Sequence, residues 1–374
     1  MNEVLITGTG LWTPEFGITN EELVESLSQA VEKWNAEHAA EIESGAIEQR
    51  DFPSVKFIQK ASGVGHRYVI EKEGLLDPAR FRPHLPTRSE DEVSIQAEIC
   101  ITAAKEALAQ AGLTGSDLDA VVVGASNIQR AYPAVAIEVQ EALGASGFAY
   151  DMNVACSSAT FALQNAIDAI KSGNARRALV LCPELTSCHN NFELREFHFI
   201  FGDACTAVVV ESSDVAGEGE SWEVLGTRLA TKFSNNIRND FGFMNVAEDA
   251  PRERHELMFR QNGRQVFHDV CPMVAEHIAS HVADVGVSLG DLKRFWLHQA
   301  NLGMNKMIAK TLLGREPDTE EAPVILDEYA NTSSAGSVIA FHKHRDGIEV
   351  GEHAVLCSFG AGYSVGSVVV RRRS

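Results

Sequence analysis

The sequence predicts an α/β protein made of two related halves, residues 1–215 and 216–374. Three observations carry that prediction. At 374 residues the chain is longer than one hydrophobic core usually organises. Its most apolar runs, Ala120–Val123, Ala178–Val180 and Ala354–Leu356, are near-continuous in Ala, Val and Leu, as strands covered by helices on both faces require. The chain also repeats itself. Gly112 and Asp117-Leu118 return as Gly286 and Asp291-Leu292 after 174 residues. Asp151 with Ser157-Ser158-Ala159 returns as Asp327 with Ser333-Ser334-Ala335 after 176, and Ala178-Leu179-Val180 returns as Ala354-Val355-Leu356 after the same 176. A period this long implies duplication of an α/β unit, not a solenoid.

Each element follows from local chemistry. The opening residues, Met1 to Leu11, are apolar and punctuated by Gly8 and Gly10. They read as a first strand, with no leader peptide or membrane span, and the glycines lack the further spacing of a dinucleotide fingerprint. Residues 19–50 read as helical from Thr19, an N-cap completed by Glu22 three residues on. Residues 71–93, rich in Pro, Arg and acids, read as a surface excursion. Ser89 and Glu92 suggest a second capping box, opening a helix that runs to about Ala111 and stops at Gly112. In the second half Val266, Val270, Val274, Ile278 and Val282 recur every four residues, predicting a long helix to Gly286 bent at Pro272.

Composition narrows the function. The formal charge of −20 argues against nucleic acid or an anionic membrane as partner, except through a local basic patch. Seven cysteines are an odd number without metal-type spacing, which indicates a reducing, cytoplasmic setting and no metal site.

One cysteine stands apart. Cys156 lies where a strand gives way to a helix, among small neighbours that leave room at the sulfur. A thiol in a first helical turn sits at the positive end of the dipole, so its thiolate is expected to be favoured. The competing reading is a small buried core residue. His298 falls where the first half has Gly124, at the end of a buried strand, where chemistry usually sits in α/β folds. Asn331 falls beside Thr332, the repeat equivalent of Cys156. Taken singly, His298 reads as a hydrogen-bonded core histidine and Asn331 as an N-cap. Taken together, the pseudo-twofold brings both toward Cys156. In Phe359-Gly360-Ala361-Gly362 the glycines would let backbone amides approach a ligand, as an oxyanion site requires, or serve a tight turn.

Cys156 in Val-Ala-Cys, His298 in His-Gln-Ala-Asn, Asn331 in Asn-Thr-Ser and the Phe-Gly-x-Gly segment together resemble the β-ketoacyl-acyl-carrier-protein synthase III family of the thiolase superfamily. Tyr132-Pro133, Ile200-Phe201-Gly202-Asp203 and Asn262-Gly263 fit the same family in order. The resemblance implies a duplicated, five-layered αβαβα thiolase-like fold, a homodimer, and substrates that are acyl-CoA and malonyl-acyl-carrier protein, with no cofactor. It implies that Cys156 accepts the acyl group, that His298 and Asn331 stabilise the enolate of decarboxylation, and that the amides of Cys156 and Ala361 hold the oxyanion. Phe57, Tyr132, Gly360 and Gly362 are the implied substrate-binding residues. Tyr132 aligns with a position that closes the acyl tunnel across the dimer interface.

The sequence also departs from the family's usual pattern. Ser157-Ser158 follow the cysteine where a small residue and glycine are usual, Phe57 and Ala61 replace a tryptophan and an arginine that sandwich adenine, and Gly303 replaces a docking arginine. Lys306 and Lys310, successive turns of one helix, would rebuild a basic footprint for the carrier protein. The Cys-Ser-Ser variant and the added length resemble the branch that takes medium-chain primers such as octanoyl-CoA. The rival readings are a thiolase-fold acyltransferase to oxygen or nitrogen, a non-decarboxylating condensing enzyme, and a non-catalytic scaffold, which would be expected to lack a triad member.

Overall fold

A computed structural model describes residues 3–374, so Met1 and Asn2 of the opening stretch lie outside it. The first strand, β1, is Val4–Trp12. Its glycines serve packing: a Cβ would lie 2.1 Å from the Ala107 carbonyl oxygen at Gly8 and 2.1 Å from that of Ala103 at Gly10. Only glycine admits a helix so close to this strand. Helix α1, Asn20–Glu37, begins with the expected Thr19/Glu22 capping box, and α2 is Val55–Ser62. Helix α3, Ile95–Ala111, ends on left-handed Gly112 as the sequence predicts, but it starts later than expected. Ser89 does bond Glu92, at 2.7 Å from its amide, yet this closes only a local turn. The N-cap is Ser94, which is anchored to Glu138 through its amide at 3.0 Å and its hydroxyl at 2.6 Å. A tertiary contact thus sets the helix start.

The first half continues with β2 (Ala120–Gly124), α4 (Val135–Leu143), β3 (Phe148–Met152), α5 (Ser158–Lys171), β4 (Arg177–Glu184) and β5 (Ala204–Ser212). The second half has β6 (Trp222–Thr231), α6 (Gly263–Asp284), β7 (Leu292–Leu297), α7 (Leu302–Leu313), α8 (Ala335–Lys343), β8 (His353–Gly360) and β9 (Ser364–Arg372). Helix α6 runs unbroken through Pro272.

The nine strands lie in the order β7-β8-β9-β6-β1-β5-β4-β2-β3. Outward from the middle, β1-β5-β4-β2 is matched by β6-β9-β8-β7, with β2/β4 and β7/β8 parallel and β4/β5 and β8/β9 antiparallel. Among the described residues the two sets meet through two pairs, Leu5 with Glu223 and Ile6 with Trp222. The repeat breaks at β3. Asp151 lies on that strand, whereas Asp327 lies in a single helical turn, Leu326–Tyr329, because Leu326 and Tyr329 three residues apart are both buried on one side of it.

Three apolar cores define the layers. Leu163 and Ile167 of α5 and Val338 and Phe341 of α8 pack with Val122 and Val180 of one sheet and Leu356 and Val368 of the other. Helices α3 and α4 cover the opposite face of the first sheet, against Val121 and Leu179. Helices α6 and α7 cover that of the second, against Phe295 and Val355. The result is five layers, α/β/α/β/α. A fourth core joins Leu23, Ile58, Leu75 and Phe81 to Phe199 and Phe201, so the mostly exposed 71–93 excursion is pinned at two points. Among the described residues no helix is long and apolar enough to cross a membrane.

Candidate active site

Cys156 sits in a 3-10 turn, Ala155–Ser157, between β3 and α5. Ala155 before it holds φ at +46°, a left-handed conformation that costs a non-glycine residue about 1–2 kcal/mol. Such outliers cluster at functional sites. The strain is held by neighbours: Asn153 Oδ1 accepts the Ala155 amide at 2.9 Å and Ser158 Oγ accepts that of Val154 at 2.8 Å. Ser157, the unusual residue after the cysteine, is buried and donates to the Ser364 carbonyl at 3.2 Å, tying the turn to β9. Gly360 closes the other side, where a Cβ would lie 2.6 Å from Cys156 Cβ.

The second half supplies the other polar groups. His298 follows β7 and extends its pairing, its amide donating to the Cys357 carbonyl at 2.8 Å, while its ring packs edge-on against Phe359 with centroids 5.2 Å apart. Its neighbours explain the His-Gln-Ala-Asn order. Gln299 bonds the Leu297 carbonyl at 2.9 Å and the Ile325 amide at 3.0 Å, and Asn301 caps α7 and donates to the Ala61 carbonyl at 2.6 Å. Asn331 is locked between Ile200 and Gly202: its amide donates to the Ile200 carbonyl at 3.0 Å, and its carbonyl accepts from Gly202 at 3.1 Å. The Ile-Phe-Gly-Asp run therefore works by fixing Asn331. Asn331 Oδ1 accepts the Ser333 amide at 2.9 Å, which leaves Nδ2 as the side chain's donor.

Cys156, His298, Asn331 and Gly360 line one cavity of about 590 Å³. The buried His298 and Asn331 form its floor, and exposed Lys60 and Arg264 mark its mouth. Phe57 and Ala61 line it too. A second cavity of about 400 Å³ also reaches Cys156 and is lined by Ala361 and Gly362.

The electrostatics correct one expectation. Burial pushes the Cys156 thiol up to about 11, with the negative charge of Glu184 adding to the rise. The Ser333 hydroxyl, which donates to Sγ at 3.4 Å, and the amides of Cys156 and Ala361 pull the other way without overcoming it. The resting group is a thiol, not the dipole-favoured thiolate. Burial also holds His298 down to about 4, hence a neutral imidazole, and leaves its Nδ1 enclosed without a partner. Both shifts work against a preformed thiolate–imidazolium pair at neutral pH. Alkylation of resting Cys156 by iodoacetamide is expected to rise about tenfold per pH unit from pH 7 toward 10, because the thiolate fraction grows that way below the thiol's pKa. A plateau beginning below pH 7 would contradict it.

Not every expected residue joins the site. Tyr132 is 84% exposed and lines neither cavity. Lys306 and Lys310 lie exposed on one face of α7, and Lys310 is paired with Glu316. The sequence reading passed over Ser333, Lys60, Arg264 and Arg195, whose guanidinium lies 4.5 Å over the Phe57 ring. Lys60 was within reach, one helical turn beyond Phe57 on α2; nothing in the local pattern pointed to Arg195.

Comparison with known proteins gives a consistent assignment. Residues 150–232 match the family described as 3-oxoacyl-[acyl-carrier-protein] synthase III, residues 282–372 match its C-terminal counterpart, and residues 1–138 match the β-ketoacyl synthase N-terminal domain. The chain is 54% identical to a β-ketodecanoyl-[acyl-carrier-protein] synthase of Pseudomonas aeruginosa, over 93% of this chain and all of that one. It is 31% identical to a β-ketoacyl-[acyl-carrier-protein] synthase III of Cereibacter sphaeroides, over 74% of this chain and 83% of that one. The crystal structure of 3-oxoacyl-[acyl-carrier-protein] synthase III from Aquifex aeolicus superposes with a TM-score of 0.75 at 25% identity, covering 98% and 99% of the two chains. With its duplicated five-layered fold and its cysteine, histidine and asparagine on one cavity, the chain belongs to the β-ketoacyl-acyl-carrier-protein synthase III family.

Proposed function

We propose that this chain catalyses a decarboxylating Claisen condensation of an acyl-CoA primer with malonyl-acyl-carrier protein. One observation carries the reading: a nucleophile from the first half shares a single cavity with two buried polar side chains from the second, neither of them charged. Cys156 Sγ attacks the primer's thioester carbonyl, the amides of Cys156 and Ala361 hold the oxyanion, and CoA leaves with the thiol proton. Malonyl thioester then enters, and His298 and Asn331 donate hydrogen bonds to its carbonyl. The bond to the carboxylate breaks, carbon dioxide departs, and the enolate left behind attacks the acyl carbon on Cys156. Collapse expels the Cys156 thiolate, which takes up a proton from solvent to restore the thiol, and releases a β-ketoacyl thioester. Neutral donors suit this step because decarboxylation itself generates the carbanion. In this scheme residues 1–215 carry the acyl acceptor and 216–374 the enolate-stabilising pair.

Labelled carbon dioxide released from malonyl-acyl-carrier protein in proportion to β-ketoacyl product supports this over an acyltransferase, a non-decarboxylating condensation or a scaffold. Acyl transfer without that release contradicts it.

The primer is a medium chain such as octanoyl. The cavity lined by Ala361 and Gly362 shares Asn127, His189 and Phe241 with a further cavity of about 340 Å³, walled by apolar residues including Ile95, Ile128 and Met258. The two together offer length beyond an acetyl group. A panel of acyl-CoA primers from C2 to C12 tests this, and an acetyl preference contradicts it. Lys60 and Arg264 supply positive charge for a phosphate-bearing arm at the mouth. The seven free cysteines fit a cytoplasmic enzyme.

The functional unit is a homodimer. β3 is an edge strand, paired with β2 on one side and open on the other among the described residues, with Phe148 38% exposed, and Tyr132 stands out 84% exposed, ready to reach a second copy. Lys306 and Lys310 receive the acidic carrier protein. Reversing both to Glu is expected to raise the KM for malonyl-acyl-carrier protein about tenfold and leave that for acyl-CoA unchanged, measured by steady-state kinetics.

A further inference from the structure

The repeat carries over to the ends of two strands. Gly360 ends β8, and Glu184 ends β4 at the equivalent place 176 residues earlier. Gly360 packs against Cys156. Glu184 meets Ser334, the repeat equivalent of Ser158, in the loop that carries Asn331 and Ser333. Its side chain is fully buried. One oxygen accepts the Ser126 amide at 2.9 Å, the Ser334 amide at 3.1 Å and the Ser334 hydroxyl, and the other accepts the Ser126 hydroxyl at 2.6 Å. Ser126 lies just past β2 in the first half, so one carboxyl group bolts the two halves together beside the active site.

All four donors are neutral. A buried carboxyl without a cation is costly, and an apolar residue usually serves stability better. The cost shows in its titration: burial pushes Glu184 up to about 7. It is also unfavourable to a Cys156 thiolate. A group that burdens both the fold and the nucleophile calls for a function elsewhere, and what it holds is the Asn331 loop. That loop needs holding, because Ala330 and Ser333 on either side of Asn331 have φ of +55° and +49°.

We propose that Glu184 is a positioning residue for decarboxylation, clamping the Asn331–Ser334 loop so that Asn331 Nδ2 points at the malonyl carbonyl. The inference rests on the reading of Asn331 as an enolate-stabilising donor. Glutamine can keep the clamp, since its oxygen accepts the same three donors and its amide can donate to the Ser126 hydroxyl.

The test separates the two half-reactions in the full-length protein. Glu184→Ala should lower malonyl-acyl-carrier protein decarboxylation at least a hundredfold while acylation of Cys156 by octanoyl-CoA, followed by intact mass, stays within about tenfold. Glu184→Gln should restore decarboxylation to within about fivefold of the parent. Equal loss of both half-reactions in Glu184→Ala, or no loss of decarboxylation, overturns the proposal. If Glu184→Ala does not fold, Ser334→Ala removes one arm of the clamp and should show the same one-sided loss in milder form; equal loss or none overturns the proposal there too. Asn331→Ala in the same assay keeps the two ideas apart. If it retains decarboxylation, the reading of Asn331 fails; if it loses decarboxylation while Glu184→Ala keeps it, only the role given to Glu184 fails.

Discussion

Asn331→Ala and His298→Ala are each expected to keep acylation of Cys156 and to lose malonyl decarboxylation by about 10²–10³, the usual effect of removing one preorganised donor from a developing oxyanion. The one-sided loss follows from the architecture. Both side chains come from the second half and line the cavity floor, whereas the strained turn and the amides around the sulfur come from Ala155, Cys156 and Ala361. Asn331 is fixed through its backbone to Ile200 and Gly202, so truncating its side chain takes the acceptor from the Ser333 amide but keeps those two backbone bonds. With His298 held down to about 4, the imidazole is neutral from pH 6 to pH 8 and adds no pH dependence of its own to decarboxylation, so any change across that window is to be read at Glu184, which burial pushes up to about 7. Unchanged decarboxylation in both variants would remove the assigned role.

Gly360→Ala is expected to cut Cys156 acylation at least a hundredfold in a protein that still folds. A Cβ there would lie 2.6 Å from Cys156 Cβ and 3.2 Å from Sγ, so either the nucleophile or the end of β8 must move. Overpacking of this kind typically costs about 1–3 kcal/mol, within what a large domain tolerates, while a displacement of about 1 Å at the sulfur can cost 10²-fold in rate. Burst acylation read beside thermal unfolding separates the two effects. Near-parental acylation would mean that Gly360 does not set the position of the sulfur.

Much of this site was legible in the sequence because duplication makes distant positions comparable. The strand-end position of His298 and the place of Asn331 beside the mate of Cys156 both follow from counting along the repeat, and the strand order repeats about the β1/β6 junction. What stayed hidden depends on groups brought together from elsewhere. Glu184 looks like an ordinary strand-end residue until Ser126 and Ser334 are seen on its two oxygens. The Cys156 thiol was misjudged because position before a helix is a local property, while burial, which decides the shift, is a tertiary one. The start of α3 moved for the same reason, since Glu138 chose Ser94 over the local Ser89 and Glu92 pair. Tyr132 lies 84% exposed and outside both cavities, a placement that its position in the chain does not reveal.

The central claim is that Cys156 takes the acyl group. Intact-mass measurement after incubation with octanoyl-CoA tests it most directly, comparing the parent with Cys156→Ala. The parent should gain one octanoyl group, and peptide mapping should place it on Cys156, with the six other cysteines unmodified and Cys156→Ala unchanged in mass. A parent that gains no acyl mass, or a Cys156→Ala protein that gains the same mass, would contradict the account.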